Sequence, residues 1–172
     1  MISSPLRLTR LALCLAAVSA ATACATRPDA PVAEMATTTG APVPMRGYDW
    51  FLNRDDDEVS LAYGVANSDD VKLHLSCQAG AGALELTASA DKPGREIHLE
   101  SGGDTERYAA TSEPAVVHDG ELLTARARTQ DPVFQRFRRL GWIAAWSNNE
   151  RHMYAAHPQA KAGIEQFFAV CG

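Results

Sequence analysis

The sequence lacks the short motifs that mark the common enzyme classes, and it has few aromatic residues. Aromatic side chains make up 7% of the 172 residues. There is no Gly-x-Ser-x-Gly, no His-Glu-x-x-His, no phosphate loop and no Gly-x-Gly-x-x-Gly, which argues against the commonest hydrolases, metalloproteases and nucleotide enzymes. We therefore expect a non-catalytic protein without a cofactor. The alternative is an enzyme whose site is assembled from residues far apart in the chain.

An excess of positive charge is also missing. The chain has 21 acidic and 16 basic residues, for a formal net charge of −5, which argues against nucleic acid as a partner. Hydrophobic residues make up 46% and charged residues 22% of the sequence, so a disordered chain and a multi-span membrane protein are excluded. The length fits one ordinary globular domain.

The N-terminus has the pattern of an export signal. Arg7 and Arg10 precede an apolar run over residues 11–21 that only Ser19 interrupts. A bilayer span needs about 20 apolar residues, so this run is too short to cross comfortably. We expect residues 1–23 to be a signal peptide that is not part of the fold.

The stretch Ala21-Thr22-Ala23-Cys24 resembles the lipobox of bacterial lipoproteins. The resemblance implies that Cys24 is acylated on its sulfur, becomes the first mature residue and anchors the protein in a membrane. Ala25 stands where lipoproteins retained in the inner membrane carry aspartate, which implies the periplasmic side of the outer membrane. The alternative is ordinary cleavage after Ala23 or Ala25, which would release a soluble secreted protein.

Two cysteines remain for the folded protein. Cys14 lies in the signal and Cys24 in the lipobox, which leaves Cys77 and Cys171. Export makes a disulfide between them the expectation, with two buried free thiols as the alternative. Neither cysteine has the spacing of a metal-ligand pair, so we expect no metal site.

Residues 25–47 contain four prolines and no aromatic side chain, a composition that cannot bury enough surface to fold. We predict a lipid-anchored flexible tether over residues 24–47. A single globular domain follows over residues 48–172. No diagnostic motif assigns this domain to a family.

The first two thirds of the domain alternate between apolar and polar residues, as half-buried strands do. Val71, Leu73, Leu75 and Cys77 share one face, which places Cys77 toward the core. Shorter alternations cover residues 59–63, 84–86 and 97–99, and Asp119-Gly120 predicts a hairpin between residues 116–117 and 122–123. The pattern predicts an antiparallel β-meander or a sandwich-like sheet.

The C-terminal third changes to a helical period. Asp131, Pro132 and Gly141 predict the cap, first turn and end of one helix. Two strands are expected around Asn148-Asn149, followed by a last helix that begins near Pro158. That helix carries an apolar face made of Ile164, Phe167, Phe168 and Cys171. The fold class is therefore α+β, with two helices in the C-terminal third.

Basic residues concentrate near the C-terminus. Residues 24–121 carry 18 acids and 7 bases, whereas residues 122–172 carry 3 acids and 7 bases. Five arginines form a candidate interaction patch for an acidic protein, peptidoglycan carboxylates or lipid phosphate: Arg126, Arg128, Arg136, Arg138 and Arg139. The alternative is a solvated face whose arginines pair with the acidic half.

Two other groups have competing interpretations. The run Asp55-Asp56-Asp57-Glu58 could bind a cation, but its spacing favours a solvated turn over a calcium loop. The three tryptophans, Trp50, Trp142 and Trp146, are expected in the core, with a ligand groove as the alternative.

The sequence predicts a non-catalytic outer-membrane lipoprotein whose periplasmic domain binds an envelope protein or a cell-wall component. The alternative is a periplasmic inhibitor or immunity-type protein that captures a secreted hydrolase.

Overall fold

The computed structural model describes residues 42–116, 119–147 and 149–172. The predicted signal peptide, the lipobox with Cys24 and nearly all of the tether lie outside the described residues. The described part contains nine strands, two α-helices and one short 3₁₀ helix. This composition confirms the α+β fold class, with both α-helices in the C-terminal third.

The chain forms its elements in a simple order. The strands are β1 (Tyr48–Asp55), β2 (Glu58–Val65), β3 (Val71–Gln78), β4 (Ala83–Ala90), β5 (Glu96–Ser101), β6 (Asp104–Pro114), β7 (Glu121–Arg128), β8 (Trp142–Ser147) and β9 (Glu150–Ala155); the helices are α1 (Pro132–Leu140) and α2 (Lys161–Cys171), the latter preceded by a 3₁₀ turn at Pro158–Ala160.

The nine strands form one sheet in the order β1-β2-β3-β4-β7-β6-β5-β8-β9, and its pairings are antiparallel. The predicted meander is present in β1 to β4. The chain then leaves β4, forms the β5–β6 hairpin farther along the sheet, and returns with β7 to pair with β4.

Strand β6 joins the two halves of the sheet. Its residues 104–109 pair with β5, and its residues 110–114 pair with β7. The sheet curves so far that its two edge strands, β1 and β9, approach each other. Trp50 Nε1 on β1 donates a hydrogen bond to the Tyr154 carbonyl on β9 at 3.2 Å. The sheet is therefore nearly closed.

Helix α1 has the predicted ends. Pro132 occupies its first turn, and Gly141 ends it with a φ of 75° while donating its N–H to the Phe137 carbonyl at 2.7 Å. Asp131 precedes the helix, but its carboxylate does not cap the helix as predicted. It accepts a hydrogen bond from the Arg128 N–H at 3.0 Å instead, so it closes the turn between β7 and α1.

Helix α2 supplies the core face that the sequence predicts. Ile164, Phe167, Phe168 and Cys171 are all buried, and they pack with the inward residues of the curved sheet. Cys77 on β3 is also buried and forms a disulfide with Cys171, with Cα atoms 5.8 Å apart. This is the pairing expected from the sequence.

Two strands and one loop differ from the sequence prediction. Strands β1 and β6 were not predicted, because neither alternates cleanly between apolar and polar residues. Val116, expected beside the Asp119-Gly120 turn as part of a strand, lies in the loop after β6 and is 95% exposed. Val117 lies outside the described residues.

Within the part of the chain that the structure describes, neither helix is long and apolar enough to cross a membrane.

Candidate functional site

A cavity of about 500 Å³ opens between the β3–β4 side of the curved sheet and the β8–β9 hairpin. We call it the mouth cavity. A second cavity of about 270 Å³ lies beside it and shares Ser89, Ala90, Ser147 and Tyr154 with it. The strands that form the two sides are far apart in the sheet order, so the cavity exists only because the sheet curves back on itself.

Small side chains keep this end of the sheet open. The last residues of β4 are Ala88, Ser89 and Ala90, and β8 ends at Ser147. Elsewhere the interior is filled by leucine and phenylalanine side chains, and closely packed interiors leave few voids. The change from large to small residues leaves room at the mouth cavity.

Tyr154 forms the buried wall of the mouth cavity. Only 7% of the residue is exposed, and its ring centroid lies 4.8 Å from that of Tyr63. Within the described residues, its hydroxyl makes no hydrogen bond, although the residue lines both cavities. Burial raises the pKa of Tyr154, so the hydroxyl stays protonated and can both donate and accept.

A second tyrosine lies behind the first. Tyr63 is fully buried, and its hydroxyl has no hydrogen-bond partner among the residues that the structure describes. Burial raises the pKa of Tyr63 to about 12. Tyr48 stacks on Tyr63 with ring centroids 5.8 Å apart, and its hydroxyl donates a short hydrogen bond to the Asp70 carboxylate.

The rim of the mouth cavity is acidic. Its lining includes four carboxylates, from Asp69, Asp70, Asp91 and Asp119, and one ammonium, from Lys72. Lys72 Nζ lies 2.6 Å from Asp70 Oδ1, and the hydrogen bond to Asp70 raises the pKa of Lys72. The named lining groups together carry more negative than positive charge.

Two glycines bring the acidic loops to the rim. A Cβ atom on Gly120 would lie 2.5 Å from the Ala90 carbonyl oxygen, so only glycine lets the loop carrying Asp119 pack against the end of β4. A Cβ atom on Gly64 would lie 2.4 Å from the Asp70 carbonyl oxygen. Each close approach therefore positions an aspartate beside the cavity.

Two polar side chains of the lining, Ser89 and His152, have partners on neighbouring backbone or on the same strand. Ser89 Oγ donates to the Val71 carbonyl at 2.7 Å, so its proton is directed to the backbone rather than to a base. His152 Nε2 lies 3.9 Å from Glu150 on the same hairpin. No cluster of three or more His, Cys, Asp or Glu side chains suited to a metal ion occurs in the described part of the chain.

The five arginines of the candidate patch are divided between paired and exposed positions. Arg136 is held by the β5–β6 turn, with Nε donating to the Ser101 carbonyl at 2.6 Å and Nη2 lying 3.2 Å from Glu106 Oε1. Arg138 donates hydrogen bonds to both carboxylate oxygens of Glu165, and this contact lowers the pKa of Glu165.

The other three arginines are exposed. Arg126 and Arg128 are on β7, where Arg126 lies in register with Glu85 of β4. Arg139 is on α1. The structure therefore gives two of the five arginines carboxylate partners from other elements and does not gather all five into one unpaired surface.

The acidic run and the tryptophans also have defined places. Asp55 pairs with Glu58 across the β1–β2 hairpin, and Asp56 has a φ of 50° in its two-residue turn. Trp50 is in the core. Trp142 belongs to a small separate cluster with Ala144 and Ala155, and Trp146 lines the second cavity.

Sequence reasoning missed Tyr154, which forms the cavity wall, and Tyr63 behind it. Tyr63 and Tyr154 occupy strand positions that face the core, where a phenylalanine would need no hydrogen-bond partner. A tyrosine at such a position is a usable signal, since buried hydroxyl groups usually have partners.

Comparison of the chain with protein-family models, with curated proteins and with solved structures gives no match.

Proposed function

We propose that this chain is a non-catalytic lipoprotein of the bacterial outer membrane, anchored on the periplasmic side through Cys24. Its folded domain binds an envelope protein or a cell-wall component, and the mouth cavity receives a polar group of that partner. The lipobox-like stretch Ala21-Thr22-Ala23-Cys24 supports the anchor.

The Tyr154 hydroxyl is the single observation that carries the binding proposal. It lies on a nearly buried side chain in the cavity wall without a partner among the described residues. The hydroxyl faces the cavity, where it can donate a hydrogen bond to a polar group of a bound partner and accept one from it.

In-cell photo-crosslinking tests the proposal. A photoreactive residue replaces Lys92, which is exposed and lines the second cavity beside the mouth cavity. The matched control replaces Arg54, an exposed residue of β1 that lines neither cavity. We expect a discrete adduct with an envelope component from position 92 and none from position 54.

Identical adducts at both positions, or no adduct at position 92, would contradict binding at this end of the sheet. Capture of a secreted hydrolase in a one-to-one adduct would instead replace this proposal with the inhibitor or immunity-type alternative.

A further inference from the structure

The geometry points to a linear organic cation with a terminal primary amine as the ligand of the mouth cavity. Such a group could belong to a free polyamine or to a lysine side chain of a partner. This inference rests on the proposed function, because it assigns a chemical class to what the cavity receives.

The charge of the rim selects for a cation. The carboxylates of Asp69 and Asp91 are on exposed loops at the rim. Lys72 is the only lysine or arginine named in the lining, and its ammonium lies 2.6 Å from Asp70. The carboxylates of Asp69 and Asp91 would repel an anionic ligand, whereas an ammonium group would gain charge-assisted hydrogen bonds to them.

The buried wall selects for a second polar group on the same ligand. Tyr154 lies deeper than the rim and is 7% exposed, and its hydroxyl has no partner among the described residues. This oxygen can accept a hydrogen bond from an N–H group, and a tyrosine ring also attracts cations. The hydroxyl is independent of the acidic rim, so two separate features favour the same ligand.

The size of the cavity fits a short chain. Ligand sites commonly enclose about 300–1,000 Å³, and the mouth cavity measures about 500 Å³. A diamine can place one nitrogen at the rim carboxylates and the other near Tyr154. A lysine residue of a partner can place its ammonium group at one of these positions and a backbone amide at the other.

Calorimetric titration of the full chain in detergent tests the assignment, with spermidine as the first probe. We expect one-to-one binding that weakens as salt concentration rises. Asp91→Asn and Tyr154→Phe should each weaken binding about tenfold, the usual order for a hydrogen bond to a charged group. The matched control Asp56→Asn, in the distant β1–β2 turn, should change the affinity less than about twofold.

Two further probes identify the source and the sign of the charge. A lysine-containing peptide that binds more tightly than spermidine, with loss of binding on acetylation of the lysine, assigns the amine to a partner protein. Glutarate, a dicarboxylate of similar length, should give no heat of binding.

Absence of binding by every amine, or equal weakening by Asp56→Asn and Asp91→Asn, would overturn the assignment. Circular dichroism checks that each variant is folded, and the exposed position of Asp91 keeps the test valid if Tyr154→Phe is unstable. A persistent crosslink at position 92 without amine binding would overturn the ligand class alone. Amine binding without any crosslink would overturn the envelope-binding proposal alone.

Discussion

Glu100 and Arg151 form the most enclosed ion pair among the described residues. Glu100 is 7% exposed, and its carboxylate accepts hydrogen bonds from Arg151 Nε at 2.6 Å and from Nη2 at 2.5 Å. Trp146 Nε1 donates to the same carboxylate at 3.3 Å, and the Arg151 guanidinium lies 5.5 Å from the Trp142 ring centroid. The pair ties β5 to β9 across β8.

Replacing Arg151 by methionine should destabilise the protein strongly. The variant Arg151→Met leaves the Glu100 carboxylate enclosed without its cation, a change that costs about 3–5 kcal/mol. The free energy of unfolding from urea denaturation measures the effect. The control Arg128→Met removes an exposed arginine of β7 and should change the free energy by about 0.5 kcal/mol or less. Equal losses in the two variants would show that Glu100 does not depend on Arg151.

The sequence predicts single residues well where the decisive neighbour is local. The core-facing position of Cys77 follows from the alternation along its strand, and the role of Gly141 as the end of a helix follows from the helical pattern that precedes it. The Glu100–Arg151 pair joins residues 51 positions apart, and Tyr154 faces the cavity only because β9 returns toward β1. No local pattern encodes such contacts, so neither the ion pair nor the position of Tyr154 beside a cavity was predictable.

Elements with a strong period were predicted closely, and elements without one were missed. Helix α1 has the expected start and end because a proline and a glycine mark them. Strand β6 is polar along most of its length and has no fully buried residue. Its position is set by hydrogen bonds to β5 on one side and β7 on the other. Backbone pairing of this kind cannot be predicted from the hydropathy of the side chains.

The disulfide should be the main support of helix α2. Cys77 and Cys171 are 94 positions apart, and closing a loop of this length stabilises by about 4–5 kcal/mol in the chain-entropy model. We expect the variant Cys77→Ala/Cys171→Ala to unfold at lower urea concentration than the oxidised protein by a corresponding amount. Reductant should lower the midpoint of the native protein and leave that of the double variant unchanged. A native protein with the same midpoint in both redox states would refute the stabilising role.

At the scale of the whole molecule, the fold class was predictable and the closure of the sheet was not. Alternation and helical period fix the number and kind of most elements. The cavity depends on how β3 and β4 come to face β8 and β9, which follows from the return of β7 to β4. The return of β7 to β4 is one of several possible strand orders. The same alternation of apolar and polar residues is compatible with each of them.

The membrane anchor is also a property of the whole molecule, and it has a direct test. We expect cells that express the natural sequence to incorporate labelled palmitate into this protein. The variant Cys24→Ala should lose the label and accumulate as an unprocessed or soluble form, because its sulfur is the site of acylation that the lipobox resemblance implies. Equal labelling of both proteins would exclude lipidation at Cys24.

The strand order has a consequence for the order of assembly. β4 ends at Ala90 and meets its second partner at Glu121, while β5 ends at Ser101 and meets its second partner, β8, beyond Trp142. Hairpins close within about 1–10 μs, whereas contacts distant in sequence form more slowly. The hairpins therefore form first, and β4 and β5 keep an unpaired edge until β7 and β8 dock. Unpaired strand edges promote aggregation in a crowded folding compartment, and this risk ends when β7 has paired with β4 and β8 has paired with β5.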